Sequence, residues 1–472
     1  MLRRILTLMA VFALLAGVTA WSQETRGTIV GRVTDPAGAV VPGASVVVTN
    51  TAMGTKTVLK TNQDGLYQAT FLIPGPYQVE ASTQGFKKVI RDHIQVQVSD
   101  RLEINFSLEI GVTEQSVTVT AEAPLMTTES ASVGTLVDAR RIADLPLTYG
   151  NPFGLIGLAG GVSFTGDPRL DRPFEPTHIV GFSMGGSRGN MSDVTLDGAP
   201  TTATANANQV IASYVPPTDI VQEFKVQTAT FDAQFGQTQG GVTNISIKSG
   251  TNTFHGTAYY SFQRPDFWAN DFYNNKQGRQ RPAFKFDRWG GSFGGPVRIP
   301  KVYDGRNKTF FEWGYEGIRD SRPRYDSGTN TVPTPAMLGG DFSSLLNPAL
   351  STANPNPYII YDPGTRTGPV NGRYTETPFT GNIVPVSRFN PVSKNILKYF
   401  PAPTSPANLD GTANLIESDL AEKAKYRNHT WRVDQNIGDK QRLFVRASIY
   451  DRASTYNNYF NNAATGVYFI FA

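Results

Sequence analysis

The residues with the clearest catalytic spacing are Gly181-Phe182-Ser183-Met184-Gly185, which match the G-x-S-x-G pattern of a serine nucleophile elbow. That chemistry needs a helix directly after the serine, and an acid and a histidine later in the chain. Here the sequel is Gly186-Ser187-Arg188-Gly189-Asn190, which has no apolar helical period, and the later His255 and His429 lie in strand patterns. We therefore expect a turn after Ser183 that leads into a strand, and no hydrolase site.

Thiol and metal chemistry have no better support in the sequence. The 472-residue chain contains no cysteine, which excludes disulfides, thiolate metal ligands and cysteine nucleophiles. Its four histidines stand far apart and form no ligand-spaced pair: His93, His178, His255 and His429. The sequence thus predicts no catalytic residue, no metal site and no cofactor.

The composition favours a chain rich in strands and turns. Charged residues make up 17%, while there are 45 glycines and 31 prolines, and average soluble domains carry about 25% charged residues. The net charge is +4, and no basic block is present that could follow a phosphate backbone, which argues against a nucleic-acid partner.

The N-terminus has the pattern of an export signal. Arg3 and Arg4 precede an apolar run at residues 5–17, which is too short to span a bilayer but suits a signal peptide. Small residues allow cleavage after Ala20 or after Ser22, so residues 1–22 are predicted to be removed; a short buried helix is the alternative. No later stretch is long and apolar enough for a membrane helix, so a membrane-bound mature protein would have to be a closed β-barrel.

Residues 26–110 alternate with period two between regularly spaced turns, which predicts an all-β sandwich without helices. The turns fall in a pattern that resembles the carboxypeptidase regulatory-like domain family, at Gly31–Asp35, Pro42–Val46, Asp64–Tyr67, Pro74–Tyr77 and Gly85–Lys88. The resemblance implies a transthyretin-like, seven-stranded β-sandwich. It implies no zinc peptidase activity, because His93 lacks a nearby glutamate partner.

A short β-prone segment follows at residues 113–121. Within it, Val117, Thr118, Val119 and Thr120 resemble the TonB box, the extended peptide that outer-membrane receptors pair with the protein TonB as an added strand. Strand addition requires a free backbone edge and undemanding side chains, which this segment offers. An ordinary linker strand is the alternative interpretation.

Residues 122–252 contain several motifs in succession. We predict a short helix at residues 138–145 and a second one capped by Asn151, which is expected to bury Leu155, Ile156 and Leu158. We also predict a strand before the turn Asp197-Gly198, and the segments 220–226 and 240–252 follow. The order and spacing of these motifs resemble the plug domain of TonB-dependent receptors of the Oar-like type, which implies an α+β plug.

Residues 253–472 show strands of about ten residues that are apolar on one face and polar on the other, as a transmembrane barrel requires. The short turn 438–440 suits a periplasmic hairpin, and the long excursion 321–427 suits an extracellular loop. Five clear strands and a sixth at 467–471 are far fewer than the about 22 strands of plugged transporters. We therefore expect the first strands of an incomplete transmembrane antiparallel β-barrel, from a truncated chain.

The family resemblance implies an outer-membrane receptor that takes up a ligand with energy delivered by the TonB complex, with the sandwich in the periplasm. The implied partners are TonB, the outer-membrane lipid and an extracellular ligand such as an iron chelate, cobalamin, a glycan or a peptide. The implied protein is not an enzyme. The alternative is a secreted or surface module that binds carbohydrate or protein through the sandwich, without transport.

Overall fold

The computed structural model describes residues 26–111, 116–120, 134–164, 172–173, 182–189, 191–203, 211–228, 230–231, 234–236, 238–276, 281, 283–323, 329–350, 358–416, 421–438, 441–456 and 468–471. The expected signal peptide and His178 lie outside these residues. Two compact units are formed. The first comprises Met1–Tyr259, Gly290–Glu316 and Asn428–Tyr450, and the second Tyr260–Trp289, Gly317–Arg427 and Asp451–Ala472.

The N-terminal sandwich consists of two sheets that enclose an apolar core. Its strands are β1 Gly27–Thr34, β2 Ser45–Asn50, β3 Thr55–Lys60, β4 Leu66–Leu72, β5 Gly75–Ser82, β6 Lys88–Val96, β7 Arg101–Glu103, β8 Phe106–Ser107 and β9 Ser116–Thr120. One sheet has the order β4-β1-β7, with β8 also on β1, and the other has the order β3-β2-β5-β6-β9. Alternate residues of β1, β2 and β5 are buried, as the period-two pattern predicted.

Close backbone contact explains one glycine of the sandwich motif. A Cβ atom at Gly31 would lie 1.9 Å from the carbonyl oxygen of Ile104 and 2.8 Å from the Tyr67 ring. Tyr67 also donates a hydrogen bond of 2.6 Å to that carbonyl. A side chain at position 31 of β1 would collide with the chain that follows β7, so this position requires glycine.

Two details of the sandwich differ from the sequence-based expectation. Strand β3 was not predicted, because Thr55–Lys60 exposes polar side chains and Val58 along a sheet edge. The alternating apolar residues of segment 102–108 predict one strand, but the segment forms two short strands. The chain shifts along β1, pairing first at residues 28–30 and then at 33–34.

The central domain, comprising the described residues of 122–252, packs short helices against a mixed sheet. Its elements are β10 Gly134–Asp138, α1 Ala139–Asp144, a 3₁₀ helix Pro152–Leu158, β11 Val162–Phe164, β12 Phe182–Met184, β13 Ser192–Leu196, β14 Ala199–Pro200, β15 Thr202–Ala203, β16 Ile211–Ala212, a 3₁₀ helix Thr218–Ile220, β17 Val221–Thr228 and β18 Gly241–Ile247. The main sheet has the order β10-β17-β18-β13-β14. Strands β13 and β18 are parallel and buried along their whole length.

Side-chain caps start both predicted helices of this domain. Asp138 accepts a hydrogen bond from the Arg141 N–H at 2.8 Å, and Asn151 accepts one from the Phe153 N–H at 3.0 Å. The burial expected for Leu155 and Ile156 is confirmed. The expectation for Leu158 is wrong: it is 51% exposed, because it is the last residue of the helix, where the chain leaves the core.

The remaining elements belong to a large sheet and its connections. They are β19 His255–Gln263, α2 Phe272–Lys276, β20 Lys285–Pro296, β21 Arg298–Ile299, β22 Tyr303–Asp304, β23 Thr309–Pro323, β24 Thr329–Asn330, α3 Pro335–Leu338, β25 Tyr361–Val370, β26 Arg373–Pro378, α4 Pro391–Leu397, β27 Leu415–Ile416, β28 Ala421–Ile437, β29 Gln441–Tyr456 and β30 Tyr468–Phe471. Short 3₁₀ helices lie at Pro265–Phe267, Ser343–Leu346, Pro348–Leu350, Thr380–Asn382 and Val386–Arg388.

Six of these strands form the C-terminal sheet, in the order β19-β20-β23-β28-β29-β30. The sixth strand confirms the segment expected near residue 467. Among the described residues β19 and β30 do not pair with each other, so the sheet is open. The long excursion is shorter than expected, since β23 extends to Pro323 and β28 begins at Ala421. In the described part of the chain no helix has both the length and the apolarity to cross a membrane.

Candidate functional site

In the first unit, the C-terminal sheet buries mainly polar side chains on one face and exposes mainly apolar ones on the other. Along β23 and β28 the buried side chains of the first unit are largely polar: Glu312, Glu316, Asn428, Thr430, Arg432 and Asp434. The alternating positions on the opposite face are apolar or aromatic: Phe311, Trp313, Tyr315, Trp431 and Val433. On β29, Leu443, Val445 and Ile449 are exposed. A water-soluble sheet has the reverse arrangement, whereas a sheet with lipid on its outer face has this one.

An aromatic row on the outer face accounts for His429. Its ring centroid lies 4.7 Å from that of Tyr315 and 5.4 Å from that of Trp431, which it stacks nearly parallel. Amphipathic rings of this kind are common where a membrane protein meets the interface between lipid and water. His429 is thus part of an aromatic surface and is not placed to act as a base.

The other described histidines are equally far from a catalytic arrangement. His255 lies on the inner face, where its Nε2 is 3.1 Å from Glu312 Oε2. His93 is exposed in the sandwich and adjoins Asp92. Within the described ranges, no group of three histidine, aspartate or glutamate residues is arranged to hold a metal ion.

The inner face of the sheet is joined to the central domain through Asp197. Arg432 Nη1 donates to Asp197 Oδ1 at 3.0 Å, and the Arg446 Nε atom lies 3.0 Å from Asp197 Oδ2. The second contact is an ion pair without the angle of a hydrogen bond. Asp434 completes the cluster, since both its carboxylate oxygens accept from Arg432 at 2.9 and 3.0 Å.

This cluster is buried, and Arg432 is only 3% exposed. A buried guanidinium is tolerated only when carboxylates and carbonyls satisfy its donors. The backbone of the central domain takes part as well, because Arg432 Nη1 donates to the Ile247 carbonyl and Asp197 accepts from the Ile247 N–H. Asp197 has a φ of 49° in the turn between β13 and β14, which presents its carboxylate beyond the end of the strand.

Further polar contacts extend this attachment. The Tyr214 hydroxyl donates to Asn428 Oδ1 at 2.9 Å, and Asn428 Nδ2 donates to the Val215 carbonyl at 3.1 Å. Ser249 Oγ donates to Asp434 Oδ2 at 2.9 Å. Together these contacts satisfy inner-face groups that would otherwise be buried without partners.

A second charged contact joins the central domain to the N-terminal sandwich. Lys225 Nζ lies 3.0 Å from Asp100 Oδ1, and the Val98 N–H donates to the Glu223 carboxylate. Burial is the main cause that raises the pKa of Glu223 to about 7, and the carboxylates of Asp100 and Asp138 add to it, while the Val98 and Lys225 donors oppose it. The two domains therefore meet through a carboxyl group that titrates near neutrality.

Strand β9 contains all four residues singled out as the TonB-box candidate, Val117 to Thr120. It pairs in parallel with β6, from Lys88 opposite Ser116 to Asp92 opposite Thr120. Because β9 ends the strand order of its sheet, β6 occupies one of its backbone edges, and among the described residues no strand pairs with the other edge. The sequence predicted a segment with a free backbone edge, but it did not indicate that β6 pairs with this segment.

Ser183 lies in a strand–turn–strand segment. It is the middle residue of β12, its Oγ is 3.1 Å from the Ser163 hydroxyl on β11, and Gly185 and Gly186 follow as a turn with positive φ. The next regular element is strand β13. The expected turn is confirmed, and the helix that a nucleophile elbow requires does not follow Ser183.

The chain shares two domain types with known families. Residues 246–470 match the family model described as outer membrane beta barrel domain, and residues 28–109 match the carboxypeptidase regulatory-like domain. The TonB-dependent transporter Oar of Myxococcus xanthus is 27% identical over 322 residues, which cover 66% of this chain and 28% of that protein. The chain therefore spans little more than a quarter of the length of this relative.

Solved structures of outer-membrane receptors are also similar to the chain. The siderophore receptor PirA from Acinetobacter baumannii is 12% identical with a TM-score of 0.34, covering 71% of this chain and 34% of that chain. The outer-membrane transporter YddB from Escherichia coli is 14% identical with a TM-score of 0.33, covering 71% of this chain and 42% of that chain.

We predict that Asp197→Asn destabilises the folded protein by roughly 3 kcal/mol, because it removes a charge from a buried ion cluster. Asparagine keeps the size of the side chain and tolerates a positive φ, so the effect reports the charge. Denaturant unfolding in detergent measures it. The control Asp144→Asn removes a carboxylate that is 68% exposed beside Arg140 and should change stability by less than about 0.5 kcal/mol. Equal losses in both variants would contradict the assignment.

We also predict that stability falls as pH rises through the pKa of Glu223. A carboxyl with a folded pKa of about 7 and a reference value of 4.5 stabilises the fold fully below about pH 4.5 and loses that contribution as pH passes 7, at about 1.4 kcal/mol per pKa unit. Glu223→Gln should flatten the pH dependence of the unfolding free energy between pH 5 and 8 by roughly 3 kcal/mol. The control Glu109→Gln, at an exposed carboxylate, should leave the pH dependence of the unfolding free energy as it is in the wild type. If Glu223→Gln showed that same pH dependence, the proposed role of Glu223 would be excluded.

Proposed function

We propose that the chain serves in TonB-dependent uptake of an extracellular ligand. Its match to the outer membrane beta barrel domain, its carboxypeptidase regulatory-like domain and its similarity to the TonB-dependent transporter Oar support this. The domain limits are 26–110 for the sandwich, 113–121 for the segment with the TonB-box candidate, 122–252 for the central domain and 253–472 for the first part of the barrel. The central domain acts as the plug, and the sandwich lies in the periplasm. Secreted binding by the sandwich alone is disfavoured by the outer-membrane domain.

The observation that carries this proposal is the attachment of a polar inner sheet face to the central domain. Arg432 and Arg446 on the sheet hold Asp197 of the central domain, while Leu443 and its neighbours face outward. In a completed barrel, a sheet of this polarity would enclose the central domain and leave a closed pore rather than an open channel. Passage of a ligand then requires rearrangement of the central domain, which is conformational work and involves no bond chemistry.

We further propose that TonB adds a strand to the open edge of β9. Main-chain hydrogen bonds supply the affinity in such additions, so the side chains of Val117 to Thr120 need no special chemistry. Strand β9 keeps its pairing with β6, and a pull on it reaches the central domain through the sandwich contact at Glu223 and Lys225. The ligand on the other side belongs to the classes of iron chelates, glycans or peptides.

We predict that deletion of Val117–Thr120 from the full-length protein abolishes crosslinking to TonB and leaves ligand binding at the cell surface unchanged. Val117→Pro with Val119→Pro should have the same effect, because proline removes the N–H donors. The matched control Val117→Ala with Val119→Ala keeps the backbone and should keep crosslinking. Unchanged crosslinking in the deletion variant would refute the assignment.

A disulfide can test which edge TonB uses. Ile90 and Thr118 are direct register partners, and the native chain contains no cysteine, so Ile90→Cys with Thr118→Cys can form only one disulfide. We predict that the oxidised variant still binds TonB, because β9 stays on β6 when its other edge is used. Loss of binding on oxidation that is restored by reductant would show instead that β9 must leave β6. The single variant Thr118→Cys controls for the substitution.

A further inference from the structure

The hairpin Val297–Lys308, which joins β20 to β23, is a preformed surface feature. Strands β21 and β22 pair within it, and Lys301 at its tip has a φ of 65°. Its base is closed by a 2.9 Å hydrogen bond from the Gly305 N–H to the Val297 carbonyl. A Cβ atom at Gly305 would lie only 2.6 Å from that oxygen, so the base is tightly packed.

The hairpin continues the apolar outer face of the C-terminal sheet. Ile299 and Val302 are exposed, Val302 by 78%. A cleft of about 620 Å³ lies between the hairpin and Phe254. The Phe254 ring stacks on Phe293 at a centroid distance of 5.9 Å. Phe254 at the edge of the sheet and the apolar hairpin residues Ile299 and Val302 therefore line the same cleft.

Cations line the same cleft. Arg298 and Lys301 are exposed at its wall. The acid of the hairpin, Asp304, is already paired with Arg306, whose Nε and Nη2 donate to Asp304 Oδ2 at 2.9 and 2.5 Å. Arg298 lies opposite Asp304 in the register of the hairpin and also interacts with that carboxylate. Because Asp304 is the single acid among these cations, the hairpin keeps an excess of positive charge beside an exposed apolar patch.

The hairpin lies on the side of the sheet where the N-terminal sandwich is attached. Asn252 Nδ2 donates to the Met53 carbonyl of the sandwich and to Asn307 Oδ1 of the hairpin, both at 2.7 Å. If the sandwich is periplasmic, as the proposed function requires, this hairpin meets the inner leaflet of the outer membrane, which consists of phospholipid.

We propose that the cleft binds an anionic phospholipid, with its phosphate between Arg298 and Lys301 and an acyl chain along Phe254 and Val302. Basic residues at the membrane surface attract anionic headgroups by about 1 kcal/mol each, and exposed apolar side chains beside them gain from contact with lipid. A free phosphate ion would satisfy the cations but would leave Ile299 and Val302 exposed. The combination therefore selects a lipid over a soluble anion.

The test titrates the full-length protein, purified in neutral detergent, with phosphatidylglycerol, phosphatidylethanolamine or inorganic phosphate, and counts bound lipid by native mass spectrometry. Phosphatidylglycerol should bind more tightly than phosphatidylethanolamine. Lys301→Asn suits the positive φ and should weaken phosphatidylglycerol binding about fivefold. Arg298→Gln with Lys301→Asn should weaken it roughly 30-fold. Phosphatidylethanolamine binding should weaken less, because its ammonium group offsets the charge of its phosphate.

The control Lys394→Gln with Lys398→Gln removes two exposed charges at α4 and should leave phosphatidylglycerol affinity unchanged. Equal loss in this control would show a general charge effect, and equal affinity for the two lipids would exclude headgroup recognition. Displacement of phosphatidylglycerol by an equal concentration of inorganic phosphate would indicate a free-anion site; each result overturns the proposal. TonB crosslinking in the same variants separates the two hypotheses: lost lipid selectivity with intact crosslinking defeats only the lipid site.

Discussion

The fold depends on hydrogen bonds and ion pairs to the charged side chains on the inner face of the C-terminal sheet. A sheet that places Leu443 and Val445 outward must place Arg432, Glu312 and similar side chains inward, where water is scarce. A buried guanidinium without partners costs several kcal/mol, so the sheet needs a polar surface to face. The central domain supplies that surface through the carboxylate of Asp197 and the carbonyl of Ile247.

The same principle operates where the sandwich meets the central domain, with a different consequence. Lys225 and Asp100 pair conventionally, but Glu223 is buried beside other acids and has only the Val98 N–H and the nearby Lys225 to favour its charge. The contact with the sheet is therefore strongly ionic, whereas the contact with the sandwich responds to pH. Strand β9 belongs to the sandwich side of this second contact.

Much of the fold could be predicted because its signals are local. Alternation predicted the strands of the sandwich and of the C-terminal sheet, and the patterns that begin at Asp138 and Asn151 predicted two short helices. The ion cluster could not be predicted in this way: Asp197 reads as one residue of a turn, and its partner Arg432 lies 235 positions later. The pairing of β9 with β6 was missed for the same reason. Nothing in the sequence of residues 116–120 indicates that an edge of β6 is available for pairing. Leu158 was misplaced because its helix ends there.

The large sequence separation between Asp197 and Arg432 also has a consequence for biogenesis. The chain is synthesised from its N-terminus, and domains generally fold in that order. The central domain can therefore fold before β28 and β29 have been synthesised, so that its Asp197 carboxylate is in place when the arginines of these strands arrive. The central domain thus supplies a polar surface against which these strands can assemble. A barrel that assembled without it would have to satisfy its inward-facing charges with water.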